Sequence, residues 1–131
     1  MKKTDVSINE LTKAVETLEK GIVFSQRVQN DSEQFLIARD ACIQRFEYCI
    51  EVAWKVAMKK LGSQTKFAKP AIREMARADL IASAEEWLTF IDARNESSHS
   101  YDEKVAQRVY STILKFLAQA KVLITNLNSM S

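Results

Sequence analysis

The chain has 131 residues, of which 47% are hydrophobic and 27% charged, with a formal net charge of +2. That length suits a single hydrophobic core, so residues 1–131 are expected to form one domain, and the balance of apolar and charged residues excludes a disordered chain. Two glycines and one proline are too few for a turn-rich β fold, and no run approaches the ~18 apolar residues of a membrane span.

The amino terminus, Met1-Lys2-Lys3-Thr4-Asp5, has no apolar run behind it, so no signal peptide is expected and the chain is expected to be cytoplasmic. Ser7-Ile8-Asn9-Glu10 reads as a capping box, in which the serine oxygen and the glutamate satisfy free amides at a helix start. Behind it Ile8, Leu11, Val15, Leu18 and Ile22 recur at steps of three and four, which predicts a helix to about Val28. Asn30-Asp31-Ser32 breaks the pattern. A long second helix follows, from about Ser32 to Lys60. Phe35, Cys42, Phe46, Cys49, Ala53 and Val56 form one apolar stripe on it, and Leu36, Ile43, Ile50 and Trp54 form a neighbouring one. An apolar face that wide implies packing on more than one side.

Gly62 and the polar stretch to Lys69 form the next connection, and Pro70 suits the first turn of a short third helix, where a missing N–H costs nothing. That helix carries Ile72, Met75, Ala76 and Leu80. Ser83-Ala84-Glu85-Glu86 is a second capping box, opening a fourth helix through Trp87, Leu88 and Ile91 to Arg94 and Asn95. Ser100-Tyr101-Asp102-Glu103 is a third, and predicts a last helix from Tyr101 to about Leu127. Val105, Val109, Ile113, Phe116, Ala120, Leu123 and Leu127 face inward on it, and the tail 128–131 is expected to fray. The expected fold class is all-α: an antiparallel, up-and-down helical bundle of four main helices plus one short helix.

Cys42 and Cys49 are seven residues apart on one helix, about 10 Å along its axis. A disulfide needs Cα atoms within about 7 Å, so they cannot pair with each other and read as small core residues. One histidine and no cysteine-rich cluster leave no metal site to expect. Charge is uneven. Lys55, Lys59, Lys60, Lys66, Lys69, Arg73 and Arg77 face a single acid, Glu74, over that stretch. Such a patch either attracts RNA or an acidic partner protein, or is simply a solvated helix end and loop.

Two groups of residues break the amphipathic pattern. Asp40 and Glu47 share the second helix's stripe with Ile43, Ile50 and Trp54, flanked by Arg39 and Arg45. A carboxylate there is expected to be at least partly desolvated and to need a cation or several donors. The arrangement is either an internal salt bridge that sets helix register or a polar pocket around a functional site. The second group is the stretch from Arg94 to Glu103, between the fourth and fifth helices. Arg94 continues the line of Trp87 and Ile91. Arg94 and His99 are about 140° apart around a helix, so they converge only if the helix ends between them or a second subunit supplies one of them. A helix starting at Tyr101 would add free amides, a site for phosphate, beside His99 and the Tyr101 phenol. Histidine moves protons near neutral pH, and arginine holds a phosphate with two parallel hydrogen bonds. The set either serves phosphoryl chemistry or is a well-capped turn with a surface histidine.

Arg94-Asn95-x-x-x-His99-x-Tyr101 resembles the signature of the HEPN family, and its His-x-Tyr extension resembles HepT-like toxins of HEPN–nucleotidyltransferase pairs. Arg39-Asp40-Ala41-Cys42-Ile43-Gln44-Arg45-Phe46-Glu47-Tyr48, with Glu51 and Ala53-Trp54-Lys55, is similar to strings in nucleotidyltransferase substrate-binding proteins, as is Ile72-Arg73-Glu74 through Glu85-Glu86-Trp87-Leu88. Together these cover about residues 35–112. The resemblance implies a HEPN bundle, a homodimer whose Arg–His motifs face a shared cleft, and a separately encoded minimal nucleotidyltransferase as partner. It implies metal-independent RNA cleavage with no cofactor: His99 as general acid or base, Arg94 stabilising the phosphorane and Asn95 positioning. It also implies silencing by AMP transfer to Tyr101. Arg39, Asp40, Arg45, Glu47 and Ser100 are the candidate substrate- or nucleotide-binding residues. The alternative is a non-catalytic subunit that binds a nucleotide or other substrate and docks the nucleotidyltransferase, through the basic 55–77 region.

Overall fold

In the computed structural model, which describes residues 7–130, five α-helices follow one another: α1 (Ile8–Arg27), α2 (Ser32–Leu61), α3 (Ala68–Arg77), α4 (Ala84–Glu96) and α5 (Glu103–Asn128). Two of the three expected capping serines work as predicted. Ser7 Oγ accepts from the Glu10 amide and Ser83 Oγ from the Glu86 amide, both at 3.1 Å. Asp31 caps α2 in the same way, at 3.0 Å from the Gln34 amide. At the other end of α2, Gly62 takes a left-handed conformation (φ 67°) and the Ser63 amide bonds back to Met58 O at 2.9 Å. Glycine meets that turn without Cβ strain.

Cross-helix contacts set the directions. Arg45 donates to Thr17 O (2.9 Å) and Tyr48 to Glu10, so α2 runs antiparallel to α1. Ser25 meets Tyr110 and Lys121 meets Glu19, so α5 is also antiparallel to α1. Glu96 pairs with Arg108 and Trp87 packs on Phe116, so α4 is antiparallel to α5. The four long helices therefore go up and down in turn, with α3 braced against α2 and α4. Among the described residues there is no strand, and no helix is long and apolar enough to cross a membrane.

One apolar cluster draws on all five helices. At its centre Phe46, Trp87, Phe90 and Phe116 meet edge to face, with ring centroids 5.1–5.6 Å apart. That arrangement sets positive ring edges on negative faces. Higher up, Ser25 donates to Ile22 O (2.7 Å) and so accepts from the Tyr110 hydroxyl (2.7 Å), which lets a buried phenol enter the core with its hydrogen bond made. Cys42 and Cys49 are buried and free, and burial pushes the Cys49 thiol up to about 12.

Several expectations need correction. Leu80 is buried but lies past the end of α3. The tail does not fray as expected: α5 is helical to Asn128 and Met130 packs against the core, while Ser131 falls outside the described residues. Leu36 is exposed although it shares a stripe with the buried Ile43, Ile50 and Trp54. The reason is the reach of α4. It ends opposite Glu47, so no residue of α4 reaches back as far as Leu36, near the start of α2.

Candidate active site

The end of α4 sets the geometry of the polar residues. α4 stops at Glu96, between Arg94 and His99, and a single 3-10 turn, Ser97–His99, follows. The helix thus ends between Arg94 and His99, the condition expected for the two to converge within one chain. The connection is tied down from three sides. Ser97, which is buried, places its hydroxyl between the Glu47 carboxylate of α2 and Arg94 O (2.7 Å). Glu96 receives Arg108 of α5 at 3.0 Å. Glu103, the first residue of α5, receives both terminal nitrogens of Arg39 at 2.7 and 2.9 Å.

The end of α4 and this turn present Asn95, Ser98, His99 and Tyr101 to solvent, with Asp102 beside them. Tyr101 is 85% exposed, and its hydroxyl stands 3.4 Å from His99 Nδ1. The two rings meet edge on at 6.0 Å. Arg94 is half-buried, and its Nε is buried with no hydrogen-bond partner among the described residues. Arg39, Arg45 and Arg108 by contrast are each engaged, with Glu103, Thr17 O and Glu96. Arg94 is thus the arginine at this end of α4 with no hydrogen-bond or ion-pair partner among the described residues.

Beside the turn lies an open groove of about 410 Å³, lined by Asp40, Ile43, Gln44 and Glu47 of α2 with Ser97, Ser100 and Tyr101. The structure brings Asp40, Glu47, Ser100 and Tyr101 together here. Asp40 is exposed, not partly desolvated as expected, because α4 ends before reaching it. Arg45 is elsewhere. Its guanidinium lies over Gly21 on α1, where an added Cβ would come within 3.2 Å of Nη1. Arg39 is 4% exposed and committed to Glu103, so it holds the start of α5.

The last helix does not start at Tyr101. Ser100 has helical backbone angles (φ −69°, ψ −6°), whereas a capping residue needs extended ones. Asp102 has them (φ −81°, ψ 124°) and caps α5, accepting from the Lys104 and Val105 amides at 2.9 and 3.3 Å. Those amides already hold a carboxylate, so the expected phosphate site at this helix start does not form. Asp102, Glu103 and Ser97 were missed as site-building residues. Aspartate's strength as a cap was the available signal for the first, and nothing local points to Ser97.

The profile described as nucleotidyltransferase substrate binding protein like matches residues 6–129, nearly the whole chain. The chain belongs to this family. A relative from Haemophilus influenzae, named "Probable ribonuclease HepT", is 28% identical over 134 residues, covering 93% of this chain and 92% of that protein. A solved Haemophilus influenzae structure, described as revealing the fold of a substrate-binding domain of a nucleotidyltransferase, is 29% identical with a TM-score of 0.82. It covers 93% of this chain and 99% of that one. A Thermus thermophilus structure is 26% identical with a TM-score of 0.74, over 89% of this chain and 98% of that one. Within this nucleotidyltransferase substrate-binding family member, Arg39–Glu103 is, of the two ion pairs that join the site to the bundle, the one with a buried arginine.

Its electrostatics follow from geometry. The hydrogen bonds from Arg39 hold the Glu103 carboxyl below the usual carboxylate range, and Glu103 in turn raises Arg39. A depressed folded-state value means that the pair stabilises the fold above the carboxyl's ordinary range and stops doing so as pH falls through the depressed one. Glu103→Ala strands a buried guanidinium, whereas Glu19→Ala breaks only the exposed pair with Lys121, worth about 0–1 kcal/mol. Thermal unfolding at neutral pH is expected to drop clearly further for Glu103→Ala. The gap between that variant and the parent should narrow in acid, and equal midpoints for both variants would show that the pair holds nothing.

Proposed function

We propose that this protein is the HEPN-type partner of a separately encoded minimal nucleotidyltransferase, one cytoplasmic domain in a toxin–antitoxin-like pair. In this reading it cleaves RNA without metal, and AMP transfer to Tyr101 silences it. The observation that carries the reading is the 3.4 Å approach of the exposed Tyr101 hydroxyl to His99 Nδ1. The modified atom and the proton-moving ring then occupy one spot. The kinship with a protein named as a probable ribonuclease HepT supports it.

In the cleavage step, His99 takes the proton of a ribose 2′-hydroxyl and the 2′-oxygen attacks the adjacent phosphorus. The bond to the 5′-oxygen breaks, and that oxygen leaves with a proton from an acid, His99 of a second copy or water. Arg94, without a partner among the described residues, offsets the charge of the five-coordinate phosphorus. Asn95, on the same exposed turn, positions the phosphate or the ring. In the silencing step, the Tyr101 oxygen attacks the α-phosphorus of ATP, loses its proton and displaces pyrophosphate. The product sets a phosphodiester against His99, where it excludes an RNA phosphate by bulk and by charge. The overhang of α2 beyond α4, with Leu36 and Ile37 exposed beside the groove, supports a homodimer in which two such turns face each other.

A second reading has one observation in its favour. Asp40 and Glu47 make the groove next to Tyr101 acidic, which suits a base or ribose better than a phosphate chain. The protein would then be a non-catalytic subunit that holds a nucleotide for the nucleotidyltransferase. Intact mass after co-expression with a minimal nucleotidyltransferase separates the two. Additions in AMP steps that vanish in Tyr101→Phe are expected. Unchanged mass with the two proteins still bound to each other favours the non-catalytic subunit.

A further inference from the structure

Phe67 fits neither of the structural jobs open to it. It occupies the capping position of α3, where a polar side chain normally accepts from the first amides, and it offers no oxygen. It is also not buried: at 74% exposure it is the most exposed large apolar side chain after Tyr101 among the described residues. Its surroundings are cationic. Lys66 precedes it in the chain, and Arg73 and Arg77 follow on the outer face of α3, four residues apart and so about 6 Å along the axis. All three are exposed and make no ion pair among the described residues.

Glu74, the lone acid of this stretch, offsets only part of that charge. Among the described residues it forms no ion pair with any of the three: its carboxylate is turned onto the Ser63 hydroxyl (2.7 Å) and the Thr65 hydroxyl, which, with a smaller contribution from the charge of Arg77, hold it below the usual carboxylate range, so one negative charge stands against three positive ones. The position of the face matters as well. Lys69, at the start of α3, pairs with Asp92 at 3.1 Å, one helical turn before Asn95. The Phe67 end of α3 therefore lies against the part of α4 that leads into Arg94 and His99.

An exposed aromatic ring set among unpaired cations is the chemistry of single-strand binding: ring faces take bases and cations take phosphates. We propose that the outer face of α3, headed by Phe67 and charged by Lys66, Arg73 and Arg77, is a binding track for single-stranded nucleic acid. The track runs toward the Arg94–His99 turn. That its natural occupant is RNA rests on the function proposed above; the track itself does not. An acidic partner protein would also meet the cations, but it gives no reason for a bare ring at their head.

The test is fluorescence anisotropy with labelled oligo-U and oligo-dT of about 12 nucleotides, across a salt series. It uses the full chain and, in parallel, His99→Ala protein. The triple variant Lys66→Gln/Arg73→Gln/Arg77→Gln is expected to reduce the slope of log Kd against log salt by about 2, at about 0.7 per phosphate contact. Phe67→Ala is expected to weaken binding about 5- to 100-fold at every salt with the slope unchanged. Both oligonucleotides should bind alike, since phosphates and base faces are common to them.

Failure of the parent protein to bind, wild-type binding by both variants, or an absolute need for the 2′-hydroxyl overturns the track. So does a triple variant that keeps the oligonucleotide and loses a nucleotidyltransferase. The nuclease reading fails separately: a protein that binds through α3 but never cleaves refutes that reading and leaves the track standing.

Discussion

On the proposed nuclease reading, His99→Ala is expected to lower RNA cleavage by about 10²- to 10⁴-fold, the usual worth of a general acid or base, with no change in thermal stability. The two halves of that expectation come from different facts. The imidazole is exposed, and its structural contact among the described residues is the Tyr101 ring. The bond that shapes the turn at this position is made by the backbone, from the Asp102 amide to His99 O at 3.0 Å, and alanine keeps it. Arg94→Ala should lower cleavage comparably, because among the described residues the other arginines at this end of α4, Arg39 and Arg108, are held by Glu103 and Glu96. The measurement is cleavage of a labelled RNA by the purified protein beside a melting curve for each variant. Parental cleavage by either variant would place the activity outside this turn.

Phe116→Ala is expected to cost about 3–5 kcal/mol of unfolding free energy. Phe116 is fully buried and touches the rings of Phe46, Trp87 and Phe90, so it joins α5 to α2 and α4 at one point. Truncation removes three edge-to-face pairs, each worth about 0.5–1.5 kcal/mol beyond area burial, and leaves a void between helices that cannot all close on it. Phe116→Leu keeps most of the volume and should cost less, about 1–1.5 kcal/mol. Phe67→Ala, on the surface, should stay within about 0.5 kcal/mol and serves as the control. Urea unfolding measures all three. A loss below about 1 kcal/mol for Phe116→Ala would mean that the bundle closes around the void, and that the aromatic cluster is not its keystone.

The consequence for the site is mechanical. The turn that carries His99 and Tyr101 has no core of its own. It is positioned by Ser97 on Glu47, Arg108 on Glu96 and Arg39 on Glu103, and each of these ties ends on α2 or α5. A loosened bundle therefore displaces the site without altering any residue in it. Partial loss of cleavage by Phe116→Leu at an intact Arg94–His99 set would be the signature of that coupling.

The sequence by itself determined the helices, their caps at Ser7 and Ser83, the inward stripes of α1 and α5, and the grouping of Arg94, Asn95, His99 and Tyr101. All of these depend on residues within about one or two helical turns of one another, where periodicity and capping act. The tertiary structure decided what depends on distant partners. Arg39 reads locally as either half of an internal salt bridge or part of a polar pocket, and Glu103, 64 residues away, decides for the first by taking both its terminal nitrogens. Arg45 sits six residues further along the same helix and turns instead onto α1. Asp40 is exposed and Glu47 half-buried because α4 stops between them, a length that no residue of α2 encodes. At the start of α5 two local signals competed, Ser100 and Asp102. The 3-10 turn after α4 put Ser100 into helical angles, which left Asp102 alone with the extended backbone that a cap requires.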